Sequence, residues 1–294
     1  MESNRSDSST TRVVPVAAAD GARSELQLVG EPRLGRWLYW LPAMGVPARH
    51  YLPLAEALAA QGIAVALHEW RGIGSSDRRA GWSQDWGYRA LLREDLPAGL
   101  AAARAAWPDA AGWLGGHSLG GQLACVYAGL QPEAVAGLVL VASGAPYWKN
   151  FRWPWLIRAA YVAAPWVAGV GGHFPGRRIG FGGNEASGVI RDWARSGRDG
   201  CYAAQGMGEL DARMATFAGP LLALRMRDDW LGPAASLQWL LAKLPRASVT
   251  CEVLTPQDLA GPADHFGWMK NPAPVAARIA GGLGRAGGRT APGP

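Results

Sequence analysis

The 294-residue sequence predicts an α/β fold: a doubly wound, mostly parallel sheet carrying a helical insertion. Three observations carry that expectation. Short apolar runs alternate with longer helical stretches along most of the chain. Two of the runs, "IAVALHEW" (63–70) and "AVAGLVLVAS" (134–143), lack the apolar–polar alternation of a half-exposed strand, as strands covered on both faces of a parallel sheet do. Residues 145–219 then break the rhythm with a segment too long for a loop in a compact domain.

Each element has a local reason. "VVPVAA" and "LQLVGEP" read as opening strands joined by the turn "DGARS". "WLYWLP" (37–42) is a strand stopped by proline, and "YLPLAEALAAQG" a helix closed by Gly62. After the buried run 63–70, "DWGYRALLREDLPAGLAAARAAW" is helical with a kink at Pro97. "GWLGG" is a strand and "SLGGQLACVYAGLQ" a helix, followed by the buried run 134–143. "PLLALRMRD" and "SVTCEVL" are the closing strands, and "PAPVAARIAGGL" is the last helix. This divides the chain into a disordered start (1–11), a core built from 12–144 and 220–283, a helical cap (145–219) and a flexible Gly/Pro-rich tail (284–294). No internal repeat is visible, which excludes a solenoid.

Composition narrows the class. With 49% hydrophobic and 18% charged residues the chain is globular rather than disordered. Its net charge of +6 comes from basic residues scattered without a block, so no nucleic-acid partner is expected. Cys125, Cys201 and Cys251 have neither disulfide nor metal spacing, pointing to a reducing compartment. The polar start "MESNRSDSSTTR" has no apolar signal region, and no run of 18 apolar residues spans a membrane, so a cytoplasmic location is expected. No metal or organic cofactor is expected, and the oligomeric state is left open.

The chemistry centres on Gly116-His117-Ser118-Leu119-Gly120, which fits the G-x-S-x-G turn of a nucleophilic serine. In so glycine-rich a chain that pattern arises by chance about 0.3 times. Context strengthens it, because Ser118 falls between a strand and a helix. Side chains at 116 and 120 would collide across so sharp a turn. The free N–H of Leu119, at the helix N-terminus, is the first oxyanion donor. A serine hydroxyl also needs a histidine base oriented by a carboxylate, in the chain order Ser, Asp/Glu, His. Of five histidines, His265 alone lies in a loop after the last strand. His117, next to the nucleophile, is expected to point elsewhere. "RDDWLGP" offers Asp229 as the acid, with Asp228 the fallback, and Asp264 sits too close to His265 in sequence. The second oxyanion donor is expected from "LPAMG", at the Met44 N–H. Gly72-x-Gly74 is not a dinucleotide fingerprint, because Asp77 stands where the third glycine belongs.

Together these segments resemble the α/β-hydrolase superfamily. "GHSLGG" is similar to the elbow of its serine-aminopeptidase and monoacylglycerol-lipase-like branch. "HEWRGIGSSD" resembles that branch's D-x-R-G-x-G-x-S segment, while "RDDWLGP" and "DHFGWMK" resemble its acid and histidine loops. The resemblance covers residues 12–283 and implies an eight-stranded sheet, a cap after the sixth strand and a Ser118–Asp229–His265 triad. Two positions depart from it: Pro42-Ala43 replaces the usual His-Gly of the oxyanion loop, and Glu69 replaces an Asp.

The expected activity is hydrolysis of a carboxylic ester of a small or lipid-like molecule through an acyl-enzyme. An amidase, aminopeptidase or acyltransferase could use the same triad, and a non-catalytic binding protein the same fold. The cap's tryptophans, 148, 153, 155, 166 and 193, point to an apolar pocket or to packing of the cap. Its surplus of basic over acidic residues points to anionic or amphiphilic substrates.

Overall fold

A computed structural model describes residues 11–287. Eight strands form one sheet: β1 (Thr11–Ala17), β2 (Arg23–Val29), β3 (Arg36–Leu41), β4 (Ala64–Leu67), β5 (Ala111–His117), β6 (Leu138–Val141), β7 (Pro220–Met226) and β8 (Ser248–Leu254). The spatial order is β1-β2-β4-β3-β5-β6-β7-β8. β2 pairs antiparallel with both β1 and β4, and every other pairing is parallel. The expected start of the chain lies outside the described residues except for Thr11, which opens β1.

The helices that flank the sheet are α1 (Leu52–Ala59), α2 (Leu96–Ala106), α3 (Leu119–Leu130), and, beyond the insert, α6 (Ala234–Leu241) and α7 (Ala273–Gly287). α7 runs four residues into the segment expected to be tail; the remainder lies outside the described residues. Strand β3 shows why the core has two layers. Trp37, Tyr39 and Leu41 join the cluster that holds α2 and α3, while Leu38 and Trp40 join the one that holds α1 and α7. Period-two geometry sends alternate side chains to opposite faces, so a continuously apolar strand fills both.

Two helix boundaries follow from single residues. Gly62, at φ +79°, closes α1: its N–H donates to the Ala59 carbonyl and the Ile63 N–H to that of Leu58, satisfying two carbonyls that the helix end would leave bare. Pro97 has no N–H for the carbonyl four residues back. Residues Leu91–Asp95 form a π turn immediately before it, and this widening takes the place of a simple kink. Asp95, at the end of that turn, accepts two hydrogen bonds from the buried Arg71 guanidinium, which also reaches Asp20.

Between β6 and β7 the chain builds an insert whose main helices are α4 (Pro154–Gly171) and α5 (Ser187–Asp199). It also holds two small two-stranded pieces absent from the sequence expectation, His173–Pro175 with Asn184–Ala186 and Ala203–Ala204 with Gly208–Glu209. Pro165 sits inside α4 and leaves the Tyr161 carbonyl without its helical donor; Arg198 of α5 donates to that oxygen at 2.9 Å. Gly197 lets the helices approach closely, since a Cβ there would lie 2.4 Å from the Tyr161 ring.

Candidate active site

The sheet's order reverses between β3 and β5, and the loops leaving their carboxyl ends lie side by side, the usual place for a site in an open parallel sheet. Ser118 stands there at φ 54°, ψ −118°, a backbone conformation that side-chain-bearing residues rarely adopt. Its amide donates to the Val141 carbonyl, and its own carbonyl accepts from the Gln122 N–H and, at 2.7 Å, from the Ser143 hydroxyl. The expected glycine requirement is visible in distances. A Cβ on Gly116 would sit 2.5 Å from the Gly120 carbonyl carbon, and one on Gly120 would sit 2.1 Å from the Leu41 oxygen. Leu119 opens α3, so its N–H is among those a helix's first turn leaves unbonded.

Asp229 and His265 meet as the sequence proposed. The His265 Nδ1 lies 2.8 Å from Asp229 Oδ2, and both side chains are buried. Asp229 Oδ1 accepts from the Leu231 and Gly232 N–H groups, each at 2.9 Å, which fixes the carboxylate's orientation. Asp228 is exposed and pairs with its neighbour Arg227, while Asp264 accepts from the Phe266 and Gly267 amides in the next turn. With Nδ1 engaged, His265 has Nε2 left for the cavity that it and Ser118 both line.

The loop 42–47 is pinned from several sides. The Trp70 indole N–H donates to the Pro42 carbonyl, the Ala43 N–H to the Tyr51 hydroxyl, and the Ala48 N–H to Glu69. The Ala43 amide is therefore spent. Met44 has neither a backbone nor a side-chain hydrogen bond among the described residues and lines the cavity beside Ser118 and Leu119. Glu69 also accepts from the Ser75 N–H, and its carboxylate fills the space a Cβ on Gly74 would need. That gives the 72–74 glycines a packing reason.

Three participants escaped the sequence reading. His117 does not point away from the site: its ring centroid is 4.8 Å from that of His265, and its Nδ1 is 2.9 Å from the Tyr51 hydroxyl. Complete burial pushes its pKa well below the usual imidazole range, so it stays neutral. Tyr51 thereby links the loop after β3 to the base of the elbow. Trp268 donates its indole N–H to the His265 carbonyl. Spacing carries no trace of these contacts, because the partners come from separate elements.

The insert closes the site. Its loop at 181–185 lies against Gly45, where a Cβ would stand 1.9 Å from the Gly183 nitrogen. Within that loop Glu185 accepts from the Gly183 N–H at 2.8 Å, and burial raises its carboxyl to about 7. A raised folded-state pKa favours the protonated form. The folded state therefore loses stability as pH rises from about 4.5 to about 7, by about 3 kcal/mol in all. Glu185→Gln keeps an acceptor and removes the charge. It should match the wild type at pH 4.5 and exceed it in thermal stability at pH 8; an equal difference at both pH values would sink this account.

The cavity holds about 640 Å³. Its wall includes Phe151, Ile157, Val167, Phe174, Phe181 and Trp193, and no Asp, Glu, Lys or Arg. The insert's arginines are thus not part of that wall, against the expectation that they select anionic substrates. Of its five tryptophans only Trp193 lines the cavity; Trp148 is buried, and Trp153, Trp155 and Trp166 are exposed. Among the described residues no group of three or more His, Cys, Asp or Glu side chains is placed to hold a metal ion.

Residues 39–192, more than half the chain, match the family described as serine aminopeptidase, S33. The chain belongs to this family of α/β hydrolases. Solved structures share the fold at low identity. An esterase from Thermogutta terrifontis matches with a TM-score of 0.62 at 17% identity, covering 94% of this chain and 99% of its own. The α/β hydrolase GrgF from Penicillium sp. sh18 matches at 0.60 and 17%, covering 94% and 99%. The Pyrococcus furiosus esterase Pf2001 matches at 0.58 and 15%, covering 97% and 96%. No curated protein matches the sequence.

Proposed function

We propose that this hydrolase cleaves carboxylic esters with an apolar acyl group through an acyl-enzyme on Ser118. The observation that carries the reading is the joint one: the buried Asp229–His265 pair and the strained Ser118 open onto a single cavity whose wall is apolar. His265 takes the Ser118 proton as the hydroxyl attacks the ester carbonyl. Asp229 orients the imidazole and stabilises its cation. The Leu119 and Met44 N–H groups receive the oxyanion, each worth about 3 kcal/mol in comparable sites. His265 then protonates the departing alcohol, and water, activated by the same histidine, releases the acid. Residues 145–219 act as the cap that shapes the acyl site.

The family's descriptive name raises aminopeptidase activity as a second reading. An aminopeptidase must hold a substrate ammonium, for which a carboxylate in the wall is the natural partner, and the wall offers none. A p-nitrophenyl ester series from acetate to octanoate is expected to show kcat/KM rising about fourfold per methylene until the cavity fills. Aminoacyl p-nitroanilides should be poor substrates, and a fluorophosphonate should label Ser118. Faster turnover of the anilides, or no labelling, would overturn the proposal.

A further inference from the structure

The insert also carries apolar side chains on its solvent side. Helix α4 buries one narrow strip, Tyr161, Ala164 and Ala168, with Ile157 half covered. On the opposite side, spaced at 155, 162, 166 and 170, stand Trp155, Val162, Trp166 and Val170, exposed by 71%, 43%, 74% and 74%. That spacing places them on one helical stripe. Single exposed apolar residues are ordinary, but a continuous stripe of this size marks a contact surface.

The chain around the stripe carries an excess of cations; its nearest carboxylate, Glu185, is buried beside Arg177. Residues 145–183 contain Lys149, Arg152, Arg158, Arg177 and Arg178, and no Asp or Glu. None of the five forms a salt bridge among the described residues. Several lie against aromatic rings: the Arg152 guanidinium is 5.0 Å from the Trp153 ring and Lys149 is 5.5 Å from that of Trp148. Arg178 shares a shallow cleft with Trp166 and Val170. Val167 lines both this outer cleft and the cavity of Ser118, so the stripe borders the way in.

We infer that the outer face of α4 docks on an anionic lipid surface, the helix lying in the plane of the interface with its tryptophans among the headgroups. Exposed Trp on an apolar stripe, with an excess of cations beside it, is what such a surface recognises. Spanning is not implied, since no helix among the described residues is long and apolar enough to cross a membrane. Self-association through the same face would set two groups of five cations against each other.

The test is sedimentation of the full chain with vesicles of phosphatidylcholine alone or mixed with phosphatidylglycerol. The wild type should bind the mixed vesicles at least tenfold more tightly than the neutral ones, and less tightly as salt rises. Trp166→Ser/Val170→Ser should lose at least tenfold in binding while keeping its circular dichroism and its rate on a soluble short ester. Ser118→Ala should bind like the wild type, which separates this inference from the hydrolytic reading. Absent binding to the mixed vesicles, binding indifferent to the double substitution, or a wild-type dimer that the double substitution dissociates would each overturn it.

Discussion

Ser118→Ala should abolish turnover of p-nitrophenyl butyrate, lowering kcat by about 10⁶-fold, with the fold intact. The magnitude follows from the role: without the hydroxyl there is no acyl-enzyme, and only binding and the oxyanion donors remain to assist water. The fold survives because Ser118 owes its conformation to the backbone around it, not to its own side chain. Its amide is held by Val141, its carbonyl by Ser143 and Gln122, and Gly116 and Gly120 permit the close approach of the strand and helix. A companion variant separates chemistry from strain. Ser118→Gly should be equally inactive, yet more stable by about 1 kcal/mol, because glycine tolerates φ 54° without the cost a Cβ incurs. Paired rate measurements and denaturant melts decide both points. A Ser118→Ala variant within tenfold of the wild-type rate would remove Ser118 from the mechanism.

The sequence was most legible where chemistry or backbone geometry constrains single positions. Gly62 ends α1, β8 spans the whole of "SVTCEVL", and Asp229, just after β7, meets His265 from the loop beyond β8. Its readings erred where side chains from separate elements meet. His117 looked incidental because its partners, Tyr51 and His265, are remote in sequence. The buried run 63–70 overshot β4, which ends at Leu67: the His68 amide makes a last bond to the Trp40 carbonyl, and the side chains of His68, Glu69 and Trp70 are buried for contacts with Tyr39, Ala48 and Pro42. The tryptophans of the insert misled for a related reason. Composition cannot tell an inward face from an outward one when a helix is apolar on both, and α4 is.

Asp229→Asn should cost about 10⁴-fold in kcat at neutral pH, while Asp228→Asn should cost nothing measurable. The difference lies in hydrogen-bond polarity. Asp229 Oδ1 accepts two backbone N–H groups and Oδ2 faces His265 Nδ1. An asparagine must place its carbonyl oxygen on the two N–H donors, so its NH₂ turns toward Nδ1. A donor there demands an acceptor, which drives the imidazole proton to Nε2, the atom that has to receive the Ser118 proton. The variant should fold normally and hold His265 in the wrong tautomer. Nitrogen NMR of the ring should report that inversion alongside the lost rate. Asp228 is exposed and engages only Arg227, so its substitution leaves the base untouched. If Asp229→Asn stayed within tenfold of wild type, or if its His265 kept the proton on Nδ1, the carboxylate would have no orienting role and the base would be working through water alone.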